Sequence, residues 1–204
     1  MKLTALGGLS AAALVSMAIS ASAATITASG DGEVISAPAA VTDDSPTNTI
    51  IQAFNEISNY LLTEALAIDG GSIAAGTRVD SHMVFLNTAT GNANRTATFT
   101  FGAEVLGIMS QQNGANIFAS DFLGEAAGID YSDTSGYGDN RGLEGSDSAT
   151  LGINFVTFNM RVSEPGDWVR VVTAAQVPVP AGLALLPTGL FALGALRRRK
   201  RKAV

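Results

Sequence analysis

The sequence predicts an all-β domain, an antiparallel β-sandwich or jelly-roll-like unit, carried between two apolar ends. Two observations lead there: short runs of period-two alternation fill the middle of the chain, and Gly, Asn and Asp punctuate them. A third is the absence of cysteine among 204 residues, which removes disulfides as a staple and leaves core burial, or a bound metal, to hold the fold.

Taken in order, residues 24–48 are rich in Ala, Ser, Thr, Asp and Pro. They read as loop apart from one edge strand at 32–36. The domain proper is placed at 49–174. Its first segment is ambiguous, because Ile50, Phe54, Ile57 and Leu61 fit helical spacing. Asn48, Asn55, Asn59 and Thr63 interrupt that stripe, so two strands are expected instead, at 50–55 and 58–63, ended by the turn Asp69-Gly70-Gly71. Residues 78–87 alternate, with Val79, Ser81, Met83, Phe85 and Asn87 opposite Asp80, His82, Val84 and Leu86. In 95–101, Thr96, Thr98 and Thr100 stand opposite Ala97, Phe99 and Phe101, and 104–110 is expected as the hairpin partner beyond Gly102. Residues 113–147 form a long loop region with a short helix or strand near 117–123. Strands at 149–162, carrying Ile153, Phe155, Phe158, Met160 and Val162, and at 168–173 close the domain.

Charge is divided sharply along the chain. Between the ends stand only Arg78, Arg95, Arg141, Arg161 and Arg170, against all eighteen acidic residues, a net of −13. A surface that acidic repels phosphate backbones, so nucleic acid is not an expected partner. It suits divalent cations or a hydrated acidic matrix.

The two ends read as addresses. Met1-Lys2, an apolar run from residue 3 to 19 and the small-residue site at Ala21 and Ala23 have the parts of a secretory signal, residues 1–23. That implies signal peptidase and Sec-type export machinery as partners. At the other end (175–204), Val177-Pro178-Val179-Pro180-Ala181 precedes an apolar span at 181–196 and then Arg197, Arg198, Arg199, Lys200, Arg201 and Lys202. As a helix the span rises about 24 Å against a hydrocarbon core of about 30 Å, a gap that snorkelling arginines bridge. The basic cluster stays on the cytoplasmic side and leaves the domain outside, anchored in the inner membrane.

Motif, span and basic cluster in this order resemble the PEP-CTERM group of bacterial sorting tails, in its VPLPA variant with Val179 where that motif has Leu. The resemblance implies cleavage near the motif by an exosortase, then release or reattachment at the cell surface, often alongside exopolysaccharide. The middle of the chain resembles passengers found ahead of such tails. That likeness runs through Phe54-Asn55-Glu56, Gly76-Thr77-Arg78-Val79-Asp80-Ser81-His82, Val105-Leu106-Gly107-Ile108, Arg141-Gly142-Leu143-Glu144 with Asp147, and Asp167-Trp168-Val169-Arg170-Val171. It implies an all-β passenger and no particular chemistry.

Three constellations were candidates for chemistry. Ser72 with His82 and Asp80 would make a hydrolase, but Ser72 lacks the strand-to-helix turn of a nucleophile elbow, and His82, the single histidine, is expected to be structural. Asp130, Asp133, Asp139, Glu144 and Asp147 crowd one glycine-rich loop with hard oxygen ligands that suit calcium. Tyr137 at the fifth position and the lack of flanking helices exclude an EF-hand; a solvated turn with Arg141 paired to a neighbouring carboxylate is the plainer reading. Tyr131, Tyr137 and Trp168 supply ring faces for a sugar, or an ordinary core. The expectation is a non-enzymatic, structural or adhesive surface or matrix protein without a resident cofactor other than calcium. The alternatives are a calcium-stapled carbohydrate-binding module and a secreted hydrolase.

Overall fold

The computed structural model describes residues 24–176, apart from 43–44, 90, 113, 132–140 and 164–165. The signal segment, the sorting motif, the apolar span and the basic cluster all lie outside the described residues. No helix among the described residues is long and apolar enough to cross a membrane.

The chain is predominantly β. Its strands are β1 (Ile26–Gly30), β2 (Gly32–Val34), β3 (Ile51–Leu61), β4 (Leu66–Ile68), β5 (Gly71–Ile73), β6 (Arg78–Leu86), β7 (Asn92–Phe101), β8 (Val105–Met109), β9 (Ser148–Leu151), β10 (Phe155–Ser163) and β11 (Asp167–Ala174). Two short helices, α1 (Ala115–Ala119) and α2 (Phe122–Glu125), stand between β8 and β9. One sheet has the order β1-β7-β10-β9, the other β2-β3-β6-β11-β8, and β4-β5 is a separate hairpin. Pairing is antiparallel except for β2, which runs parallel to β3, so the larger sheet is mixed rather than purely antiparallel.

Chain crossings between the sheets are set by small residues. Between β1 and β2 the chain passes from one sheet to the other at Gly30, whose φ is 73° and where a Cβ would stand 2.7 Å from the Thr96 carbonyl. The segment beyond Gly102 also changes sheet. β8 pairs with β11, not with β7, so the expected hairpin of 95–101 with 104–110 does not form. The flanks of β7 are instead occupied by β1 and β10. Residues 149–162 are not one strand either, because a turn at residues 152–154 separates β9 from β10 and leaves Ile153 79% exposed.

The period-two alternation of β7 is observed, with Ala97, Phe99 and Phe101 buried. They join Ala93, Val156, Phe158, Met160 and Val162 in one cluster with Ile51, Ala53, Val84, Leu86, Ile108, Val169 and Val171 of the larger sheet, so the sheets pack face to face. Each Val, Leu, Ile, Phe or Met side chain among them contributes about 1.5–3 kcal/mol on burial. The opposite face of the larger sheet is covered as well. Phe54, Val79, Met83, Phe85, Met109, Trp168 and Val172 pack there against Ile117 and Leu123 of the helices and against Ile129 and Tyr131. This third layer explains why β6 is buried from Val79 to Leu86, on both faces.

Residues 51–61 form one strand rather than two. Its register against β6 shifts between Asn55 and Ile57 and again between Ile57 and Tyr60. Each shift inserts one extra residue, and Asn59 takes a positive φ of 57°. Phe54, Ile57 and Tyr60 consequently pack into the same cluster at a spacing of three. The helix-like stripe in the sequence is a strand read through two bulges.

Candidate functional site: a buried ionic centre and an acidic pair

Under the helices, the larger sheet carries charge. Arg170, on the interior strand β11, is fully buried. Its Nε and Nη2 donate to the two carboxylate oxygens of Glu56 at 2.7 and 2.8 Å, and Nη2 also reaches Asp121 Oδ1 at 3.0 Å. Nη1 donates to the Ile117 carbonyl at 2.7 Å and to the Ser120 hydroxyl. A guanidinium has five N–H donors, and all five are used. Glu56 is the residue inserted by the first bulge of β3, and it also accepts from Ser81 Oγ at 2.6 Å and from the Tyr131 hydroxyl. Asp121, at the start of α2, makes no side-chain cap; its second oxygen takes Arg141 Nη1 at 2.9 Å. The Arg141 guanidinium lies 4.8 Å from the Phe118 ring centre and 5.4 Å from that of Tyr131. Two carboxylates therefore face two guanidinia, and the buried centre is neutral.

Electrostatics follow from this packing. Burial alone would raise the Glu56 carboxyl, but the Arg170 guanidinium beside it wins and holds it below its ordinary value. Burial likewise opposes the charge on Arg170, and Glu56 more than restores it. The Tyr131 phenol is pushed well above its usual range by burial and then by Glu56. Mutual pairing in the interior is what makes such charges tolerable. Helices of five and four residues have no stability of their own. Arg170 binds the Ile117 carbonyl of α1 and the Asp121 carboxylate of α2, and so fastens both to the sheet.

The Ser72, His82 and Asp80 set is not assembled in this way. Ser72 is exposed in the β4-β5 hairpin, on strand β5 rather than in a loop. His82 faces the inter-sheet core with 1% exposure; Nδ1 lies 2.6 Å from Asn55 Oδ1 and Nε2 3.1 Å from Thr173 Oγ1. Burial lowers its pKa to about 4, partly opposed by Glu56. Asp80 accepts from the Asn59 and Gln176 backbone N–H groups.

Of the loop carboxylates, Asp133 and Asp139 lie outside the described residues. Asp130 is exposed and its backbone bridges Ala40. Glu144 is exposed and accepts from Gln112 Nε2 at 3.3 Å. Asp147 is half-buried, with Oδ1 accepting the Arg161 backbone N–H at 2.8 Å. Its neighbour is Asp167, 3% exposed, which sequence reasoning left out of the site as the residue just before the strand expected at 168–173. The Oδ2 atoms of Asp147 and Asp167 are both buried, and neither has a hydrogen-bond donor among the described residues. Burial, then contact with Asp147, then the charges of Asp147 and Glu144 push the Asp167 carboxyl up to about 9. No group of three or more His, Asp or Glu side chains suited to a metal is gathered among the described residues.

The sugar-platform set is corrected. Trp168 is fully buried and stacked on Phe85 at 4.4 Å, Tyr131 is 3% exposed, and Tyr137 lies outside the described residues. Accessible rings are found instead at Tyr60 and Phe122, 5.9 Å apart, beside a groove of about 340 Å³ that Thr63, Glu64 and Asn116 also line. Arg141 pairs with Asp121, twenty residues upstream, and with no carboxylate of its own loop among the described residues. Comparison with known proteins finds no match to this chain among protein-family models, curated proteins or solved structures.

Proposed function

We propose that the chain is an exported β-sandwich or jelly-roll-like protein of structural or adhesive type, not an enzyme. In this reading an exosortase acts on the tail after Sec-type export, and the domain serves at the cell surface or in the extracellular matrix. The observation that carries the reading is the fully satisfied Arg170 centre between the sheet and its helices. It gives a cysteine-free domain an internal staple, and it holds its charged groups away from any substrate. The signal-like start and the Val177-to-Lys202 tail supply the addresses. The test is the intact mass of the protein recovered from its native host. Loss of residues 1–23 and of everything beyond 177–181 is the expected result. A C-terminus still ending at Val204 would remove the exosortase step and leave a plain membrane anchor.

The Tyr60–Phe122 groove favours a second reading, a carbohydrate-binding module. Ring faces beside a carboxylate and an amide suit the alternating apolar and hydroxyl faces of a sugar. Titration with exopolysaccharide from the native host checks it: Phe122→Ala should abolish binding, and no binding by the unaltered protein would exclude this reading.

A further inference from the structure

Buried polar atoms in a folded protein have partners, and an exception calls for a physical cause. The buried Oδ2 atoms of the neighbouring Asp147 and Asp167 are such an exception. When ionised both are acceptors only, and neither position can rotate away at no cost. Asp147 is fixed through Oδ1 by the Arg161 N–H, and Asp167 opens the interior strand β11, paired with Leu86. The arginines offer no remedy where their contacts are defined. Arg170 is spent on Glu56 and Asp121, Arg141 gives Nη1 to Asp121 while its buried Nη2 meets no acceptor among the described residues, and Arg78 and Arg95 donate to oxygens of Asn59, Thr49 and Asn94. The charges acting on Asp167 are those of Asp147 and Glu144, all negative.

We propose that Asp147 and Asp167 are the protein ligands of a calcium ion, with Glu144 adding negative charge at the open side. Calcium takes hard oxygen donors in irregular geometry and completes its shell with carbonyls and water, which the half-buried Asp147 beside a Gly142-to-Gly145 turn permits. The ion replaces the donor that the two carboxylates lack. It also ties the 144–147 turn to β11, a second staple in a chain without disulfides. The ligand set differs from a loop-only site, since its most buried member comes from β11, twenty residues beyond Asp147.

The test uses the full-length chain in detergent, melted in calcium, in equimolar magnesium and in chelator. At calcium about 100 times the dissociation constant, the melting temperature should rise by about 5–10 °C over chelator. Equilibrium dialysis should find one calcium bound to each chain. Both effects should vanish in Asp147→Asn and in Asp167→Asn, and both should persist in Glu64→Gln, an exposed carboxylate elsewhere. In chelator Asp167→Asn should melt no lower than the unaltered protein, because its amide donates to Asp147. If Asp167→Asn does not fold, the half-exposed Asp147→Asn decides through dialysis. No calcium-dependent shift, or a shift that survives Asp147→Asn, would overturn the proposal and leave the pair sharing a proton.

Discussion

The two faces of the five-stranded sheet bury comparable sets of side chains and do so by different chemistry. Toward the smaller sheet, the face is almost wholly apolar, with His82 and its partner Thr173 as buried polar members. Toward the helices, Phe54, Phe85 and Trp168 surround Glu56, Arg170, Asp121 and Arg141. The first face needs only complementary shape, because a sheet presents a regular row of side chains to another sheet. The second must hold two helices too short to persist alone, and directed hydrogen bonds fix their position where apolar contact would let them slide. Apolar packing supplies stability on both sides; the ionic centre supplies placement on one.

The sharpest break in that comparison comes from Arg170→Met. It leaves Glu56 and Asp121 buried without their cation and should cost about 3–5 kcal/mol in urea unfolding, with the helices detaching first by hydrogen exchange. On the other face, pH is the probe. His82 keeps its proton off in the folded protein down to about pH 4, while the unfolded chain takes one up near 6.5. Folding stability is therefore unaffected by this group above 6.5 and falls as pH drops from 6.5 to 4. The loss is about 3 kcal/mol, and it should be missing from the difference curve of His82→Gln. Smaller still is Ile51→Val, which trims one methyl group in the inter-sheet core and should cost about 0.5–1.5 kcal/mol without disturbing the helices.

Legibility in the sequence follows the same division. The run 95–101 gave its buried face directly, because β7 has one apolar face and one exposed, and period-two alternation is the signature of that situation. Strand β6 is covered on both sides, so its alternation distinguished two buried faces and not inside from outside. β3 misled because two bulges bring residues 54, 57 and 60 onto one face. The pairing of β8 was misread because adjacency in sequence favours a hairpin, whereas the link at residues 102–104 carries the chain to the other sheet. The ionic centre was invisible for a related reason. Glu56, Asp121 and Arg170 come from three distant segments, and no spacing rule joins them. One signal was present: Arg170 sits inside the apolar run Trp168-Val169-Arg170-Val171-Val172, where an arginine must be paired or costly. Asp167 was overlooked in the same way, as the polar residue just before that run.

The central claim is that the Glu56–Arg170 pair is a mutual device for holding the helical layer, and a double-mutant cycle tests it most directly. Urea unfolding of Glu56→Gln, Arg170→Met and the double variant should give a coupling of about 2–3 kcal/mol, the double variant losing clearly less than the two single losses together. Single losses that add to within about 0.5 kcal/mol would mean the two residues act independently, and the ionic staple would have to be given up.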